Sequence, residues 1–110
     1  MYIYNHIFTD EAMDGKVASV VRKIRMNAGL LDIYLICLAG GNDNFDIIDA
    51  KQLKQKGYPK QNLYIMGIAK GKESATQLAT AMYLHFYELY GDIHFKPEIE
   101  RNKERLFRRK

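Results

Sequence analysis

The sequence predicts an α/β or α+β fold: a compact sandwich with a mixed sheet of roughly three to five strands, flanked by two long helices and followed by a charged C-terminal helix. Three observations carry this expectation. Segments 30–39 and 63–69 are almost continuously apolar, as strands buried on both faces are. Two longer segments repeat apolar residues at helical spacing and can cover both faces of such a sheet. The chain has 110 residues, 47% of them hydrophobic and 27% charged, which suits one ordinary domain.

Residues 2–8 read as the first strand. Ile3, Asn5 and Ile7 share one face, and Tyr2, Tyr4, His6 and Phe8 share the other. A helix is expected over 10–28. Thr9 would be its N-cap, and Asp10 and Glu11 would suit the positive end of its dipole. Met13, Val17, Val20, Val21, Ile24 and Ala28 form its apolar line, and Gly29 would end it. Segment 30–39 is the next strand, closed by the turn-forming run Gly40-Gly41-Asn42-Asp43-Asn44. Residues 45–49 fit a strand returning as a hairpin or the start of a helix reaching Lys56, and the strand is preferred. Asp49, with Gln52 three residues on, resembles a capping box for a short helix from Ala50, which Gly57-Tyr58-Pro59 would end.

Segment 63–69 is the second central strand. A long helix follows over 72–90, with Ala75, Leu78, Ala79, Met82, Phe86 and Leu89 as its core stripe. Gly91 ends it, residues 92–96 suggest a short edge strand, and Pro97 suits the first turn of a final helix. Beside the core stripe run Tyr83, Tyr87 and Tyr90. The apolar arc of this helix is roughly 160° wide, more than one sheet face needs. The surplus can be covered by the N-terminal strand, by the tail helix, or by a second subunit, since tyrosines are enriched at interfaces.

Charge divides the chain. Residues 1–95 carry ten basic and ten acidic side chains and would form a neutral α/β domain. Residues 96–110, a basic C-terminal helical tail, carry seven basic and three acidic side chains, which accounts for the whole net charge of +4. Neutrality weakens a nucleic-acid reading of the body, since phosphate contacts need a basic face, although a neutral body can still carry a small basic patch. Arg101, Arg105, Arg108, Arg109 and Lys110 could still bring nucleic acid to the tail, though a solvated terminal helix is the favoured reading. Ile99, Leu106 and Phe107 could instead dock the tail on the body.

One motif has a chemical reading. Residues 67–74, Gly-Ile-Ala-Lys-Gly-Lys-Glu-Ser, join a strand to a long helix, where exposed N–H groups and the dipole favour an anion. Lys70, Gly71, Lys72, Glu73 and Ser74 are therefore candidate ligands for a small anion such as phosphate. If the two central strands are parallel neighbours, Asn42, Asp43 and Asn44 join them at the same sheet edge. The spacing departs from the phosphate-binding loop G-x-x-x-x-G-K-[ST]: Gly67 and Gly71 are one residue too close, and Glu73 stands where Ser or Thr would hold magnesium. The alternative is structural, with Gly67 where a helix packs closely and Gly71 capping a helix.

Other chemistry finds little support. His6, His85 and His94 show no metal-ligand spacing, and no metal or other cofactor is expected. Cys37 lies inside an apolar strand, the setting of a structural thiol. Ser19 and Ser74 lie in no nucleophile elbow. No apolar run is long enough to span a membrane, and the N-terminus lacks the basic and apolar parts of a signal peptide, so a cytoplasmic protein is expected.

Leu31-Asp-Ile-Tyr-Leu-Ile36, with Leu63-Tyr-Ile-Met-Gly-Ile-Ala-Lys-Gly71 and the helix after it, resembles small bacterial α/β proteins of unknown function. The resemblance covers residues 30–90, implies a compact α/β domain and carries over no functional residues. The leading expectation is a non-enzymatic binding or regulatory module that self-associates. The alternatives are phosphate or nucleotide handling at 67–74, and a nucleic-acid accessory role for the tail.

Overall fold

A computed structural model describes residues 1–110. Five strands form one mixed sheet in the order β3-β2-β4-β1-β5. They are β1 (Tyr2–Thr9), β2 (Ile33–Leu38), β3 (Phe45–Asp49), β4 (Tyr64–Lys70) and β5 (Phe107–Arg109). β1 runs parallel to β4, and every other neighbouring pair is antiparallel. Helix α1 (Val17–Arg25) covers one face. Helices α2 (Lys72–Tyr90) and α3 (Lys96–Arg101) cover the other, and α4 (Lys103–Leu106) leads into β5. The result is a three-layer α+β sandwich with one five-stranded sheet.

The strand alternation sorts the core into two. On the α1 face, Ile3, Leu35, Ile65 and Ile68 pack against Val20, Val21 and Ile24. On the α2 face, Tyr4, Ile36 and Met66 pack against Met82, Phe86, Phe95, Ile99 and Phe107. Phe86 is fully buried, with ring centroids of Phe95, Phe8 and Tyr4 at 5.4, 5.7 and 5.9 Å. Burying a side chain of that size contributes about 1.5–3 kcal/mol.

Two strand irregularities matter. Between Ile3 and Phe8, β1 advances five residues while β4 advances two, so β1 bulges away from its partner. In β4, Met66 and Gly67 both stand opposite the α2-face side of β2, where the register against Ile36 and Cys37 slips. A Cβ on Gly67 would lie 2.9 Å from the Met82 sulfur and 3.3 Å from Ile36 Cδ1. Any larger residue would have to displace the Met82 and Ile36 side chains, so glycine suits this close crossing of α2 over the bulge.

Several elements depart from expectation. The helix expected over 10–28 begins as a 3-10 turn at Glu11–Met13, breaks at Gly15 (φ +76°), and resumes only at Val17. Asp10, not Thr9, caps the turn by accepting from the Met13 N–H at 2.9 Å. The helix ends at Arg25, with Asn27 rather than Gly29 in the left-handed region. So only α2 is long. β3 is a hairpin strand, and Asp49 caps a 3-10 turn, Ala50–Lys54, through the Lys51 N–H at 3.0 Å. Leu89 is exposed, and Tyr90 turns inward to stack on Phe86 in its place. Residues 92–95 form no strand.

The tail is not one solvated helix. After α3 and α4 it enters the sheet as β5, with Phe107 opposite Tyr4, Arg108 opposite Ile3 and Arg109 opposite Tyr2. Ile99 and Phe107 are buried. Lys103 sits over the Tyr64 ring at 4.1 Å, Tyr64 stacks on Tyr2 at 4.5 Å, and Arg109 lies over Tyr2 at 5.5 Å. These contacts hold the tail against the ends of β1 and β4.

Candidate functional site

Strand direction separates the eight residues read as one anion site. β2 runs antiparallel to β4, with Ile33 opposite Lys70 and Cys37 opposite Ile65. The Asn42–Asn44 loop therefore follows the end of β2 that lies beside the start of β4, while Lys70–Ser74 lie at the other end of the sheet. The two groups do not meet.

At the Lys70–Ser74 end, the chain supplies its own anion. Thr9 pairs with Ile68, which brings Asp10 to the start of α2. Asp10 Oδ2 accepts from the Ser74 hydroxyl at 2.6 Å and from the Lys70 N–H at 2.9 Å. Partial burial works against the charged carboxylate, but the Ser74, Lys70 and Met13 hydrogen bonds outweigh it and hold Asp10 below the usual aspartate value. Gly71, the N-cap at φ +92°, donates its N–H to the Asp32 carbonyl at 2.8 Å. Glu73 adds a further carboxylate in the first turn. The positive end of the α2 dipole is thus matched from within the chain. Lys72 and Glu73 are exposed.

The Asn42–Asn44 loop helps build a different feature. A cleft of about 550 Å³ opens between α2 and the edge strand β3. Phe45 and Ile47 come from β3, and Thr76, Ala79, Thr80, Tyr83 and Leu84 from α2. Asn42, Asp43, Asn44, Ile93 and His94 close one end. Thr76 and Thr80 donate their hydroxyl protons to the carbonyls one turn back, at 3.0 and 2.9 Å, so these protons are spent inside the helix. Ile47 is 41% exposed, Leu84 55% and Ile93 50%, an apolar group around one opening. β3 is also an edge strand, with no neighbour on its outer side.

Asn44 has a structural task. Its Nδ2 donates to the Ile93 carbonyl at 2.8 Å, and its Oδ1 accepts from the Lys96 N–H at 3.1 Å. Lys96 Nζ returns to the loop, donating to the Ala39 carbonyl at 3.1 Å and to that of Gly41. Sequence reasoning placed Lys96 in the tail and missed this clamp. A lysine 52 to 57 residues from the groups it holds leaves no local signal.

The tyrosine stripe divides. Tyr83 packs edge-on against Phe95 at 5.5 Å and still lines the cleft. Tyr90 stacks on Phe86, and Tyr87 stays 43% exposed. The tail cations also divide. Arg108 and Arg109 take opposite faces of β5, Arg101 pairs with Glu98, and Arg105 donates to Asn102. Lys103 and Arg109 each cover one ring of the Tyr2–Tyr64 stack, so neither ring offers a free face to a base.

Cys37 is fully buried, and burial, with Asp46 nearby, pushes its thiol far above the usual range. That setting does not make a nucleophile. His6 and His85 lie edge-on to Tyr4 and Phe8, and no three His, Cys, Asp or Glu side chains gather as a metal-binding group. No helix is long and apolar enough to cross a membrane. No protein-family model, curated protein or solved structure matches this chain.

Proposed function

We propose that the chain is a self-associating binding module that joins a second copy of itself through the β3 edge and the α2 cleft. The observation that carries this reading is the gathering of exposed Ile47, Leu84 and Ile93 beside an unpaired strand edge. An open edge offers main-chain groups to another strand, and an apolar margin favours its burial.

The β3 sequence fits itself. An antiparallel pairing centred on Ile47 sets Ile47 against Ile47 of the second copy, Asp46 against Ile48, and Phe45 against Asp49. No two carboxylates stand directly opposite, which avoids a destabilising pair. The two-fold axis then runs perpendicular to the joined sheet, and both α2 helices lie on the same face of that sheet. The two clefts meet across that axis, Leu84 and Ile93 flanking the Ile47 pair. Tyr83 and Tyr87 extend the surface along α2.

Light scattering across a concentration series tests this. The wild type is expected to dimerise, with Leu84→Glu and Ile47→Lys each shifting it to monomer at the same concentration. Both positions are exposed, so both variants should keep the wild-type circular dichroism. A wild type that stays monomeric throughout, or a dimer indifferent to both changes, would sink the proposal.

A further inference from the structure

A second pocket, of about 320 Å³, lies on the other face of the sheet and at its other edge. Ile3 and Ile7 of β1 and Val17 and Val21 of α1 form its wall, with Ala18 at the mouth. The β1 bulge occupies the stretch between those two isoleucines. There the strand leaves β4, and Ile7 remains only half-buried.

The rim is wholly cationic. Arg25 comes from the last turn of α1, Arg108 from β5, and Lys110 follows β5. Neither ion pair in the molecule involves any of the three. Arg108 makes one long contact, 3.5 Å, to the Asn5 side-chain oxygen Oδ1, and no Asp or Glu side chain lines the pocket. Three cations free of ion pairs over an aliphatic wall are complementary to an amphipathic anion. Guanidinium groups take a carboxylate in a two-pronged geometry, and an apolar wall takes a chain.

We infer that this pocket binds a small amphipathic carboxylate of the medium-chain fatty-acid type, its tail against Ile3, Ile7, Val17 and Val21 and its head between Arg25 and Arg108. The site is independent of the α2–β3 cleft, which lies across the sheet. Its volume falls at the lower end of the range for small-molecule pockets, roughly 300–1,000 Å³.

The test is a titration of the full chain with octanoate, followed by calorimetry and by amide chemical shifts. Acetate serves as the headgroup control and octanol as the tail control. Octanoate is expected to bind one per chain and to move the amides of Ala18, Arg25 and Arg108, with both controls far weaker. Arg25→Gln, at an exposed position, should loosen it roughly tenfold, as for loss of a charge-assisted hydrogen bond. Ala18→Phe, also exposed, should block the mouth and weaken it comparably. The inference fails if octanoate does not bind, if octanol binds as tightly, or if both folded variants bind as the wild type does. Binding to anionic phosphatidylglycerol vesicles without any binding of octanoate would also overturn it, by assigning the cations to a lipid surface.

Discussion

Replacing Gly67 by alanine separates the two readings of the 67–74 segment. The added methyl would lie 2.9 Å from the Met82 sulfur and 3.3–3.4 Å from two atoms of Ile36. Met82 and Ile36 are both fully buried, so neither can swing into solvent. Overpacking of this kind costs about 1–3 kcal/mol. Against it stands the lower entropy of the unfolded alanine chain, about 0.4–1 kcal/mol, because Gly67 is not among the positive-φ glycines. The net expectation is a loss of about 1–2 kcal/mol. At this chain length that is a fall in Tm of roughly 4–10 °C. Urea and thermal unfolding followed by circular dichroism measure it. A double-mutant cycle with Met82→Ala locates the cause, since removing the sulfur should abolish most of the alanine penalty. A neutral or stabilising Gly67→Ala, or an equal cost in both backgrounds, would refute the packing account.

Three further outcomes follow from the same geometry. Phe107→Ala should cost about 3–5 kcal/mol in urea unfolding, as for any fully packed aromatic, and a negligible loss would mean that β5 is not part of the folded body. Asp10 is held below its ordinary pKa, so its contribution to stability is complete above the unfolded aspartate value. It is lost as pH falls through the lower folded value. Wild-type and Asp10→Ala unfolding free energies from urea titration should therefore differ at pH 7, by about 1 kcal/mol for loss of a cap, and converge in acid; a difference unchanged in acid would rule out the carboxylate as its source. Cys37 should resist a thiol reagent in the native protein and react at once in urea, and rapid native labelling would contradict its burial.

What was legible in the sequence was what neighbouring residues decide. The long helix over 72–90 is legible because a glycine bounds it at either end and its apolar spacing is regular. The β3 hairpin strand and the Asp49 cap were also legible, since turn chemistry and a capping oxygen act over two or three residues. The helix expected over 10–28 failed because its apolar line continues through Gly15, whose left-handed backbone no periodicity reveals. The candidate anion site divided for a different reason. Joining Asn42–Asn44 to Lys70–Ser74 required parallel central strands, and strand direction is fixed by the whole sheet. The role of Asp10 at the start of α2 depends on β1 pairing with β4, a contact sixty residues apart. Docking of the tail through Ile99 and Phe107 is legible only as the alternative to a solvated helix, because the density of charge favours solvent and the pairing of β5 with β1 spans the whole chain.

The two sheet edges differ in a way that bears on which one could recruit a second copy. β5 has three residues, and an antiparallel self-pairing centred on it would set Arg108 against Arg108 with Lys110 close by. Like charges opposed across a ladder are destabilising, and short cationic edges are a recurrent defence against unwanted pairing. β3 is longer, and its centre is Ile47. Its Asp49 is engaged with the Lys51 N–H, and the centred register keeps Asp46 opposite an isoleucine. One edge is therefore guarded and the other is not. Lysine at position 47 would give β3 the same central like-charge clash that Arg108 gives β5. Under the proposed pairing, Ile47→Lys should accordingly weaken the dimer more than the loss of one buried side chain would. Adding salt, which screens the lysine pair, should recover part of that excess. An Ile47→Ala variant supplies the baseline. If lysine and alanine at position 47 weaken association equally, at low and high salt alike, the two copies do not meet at Ile47.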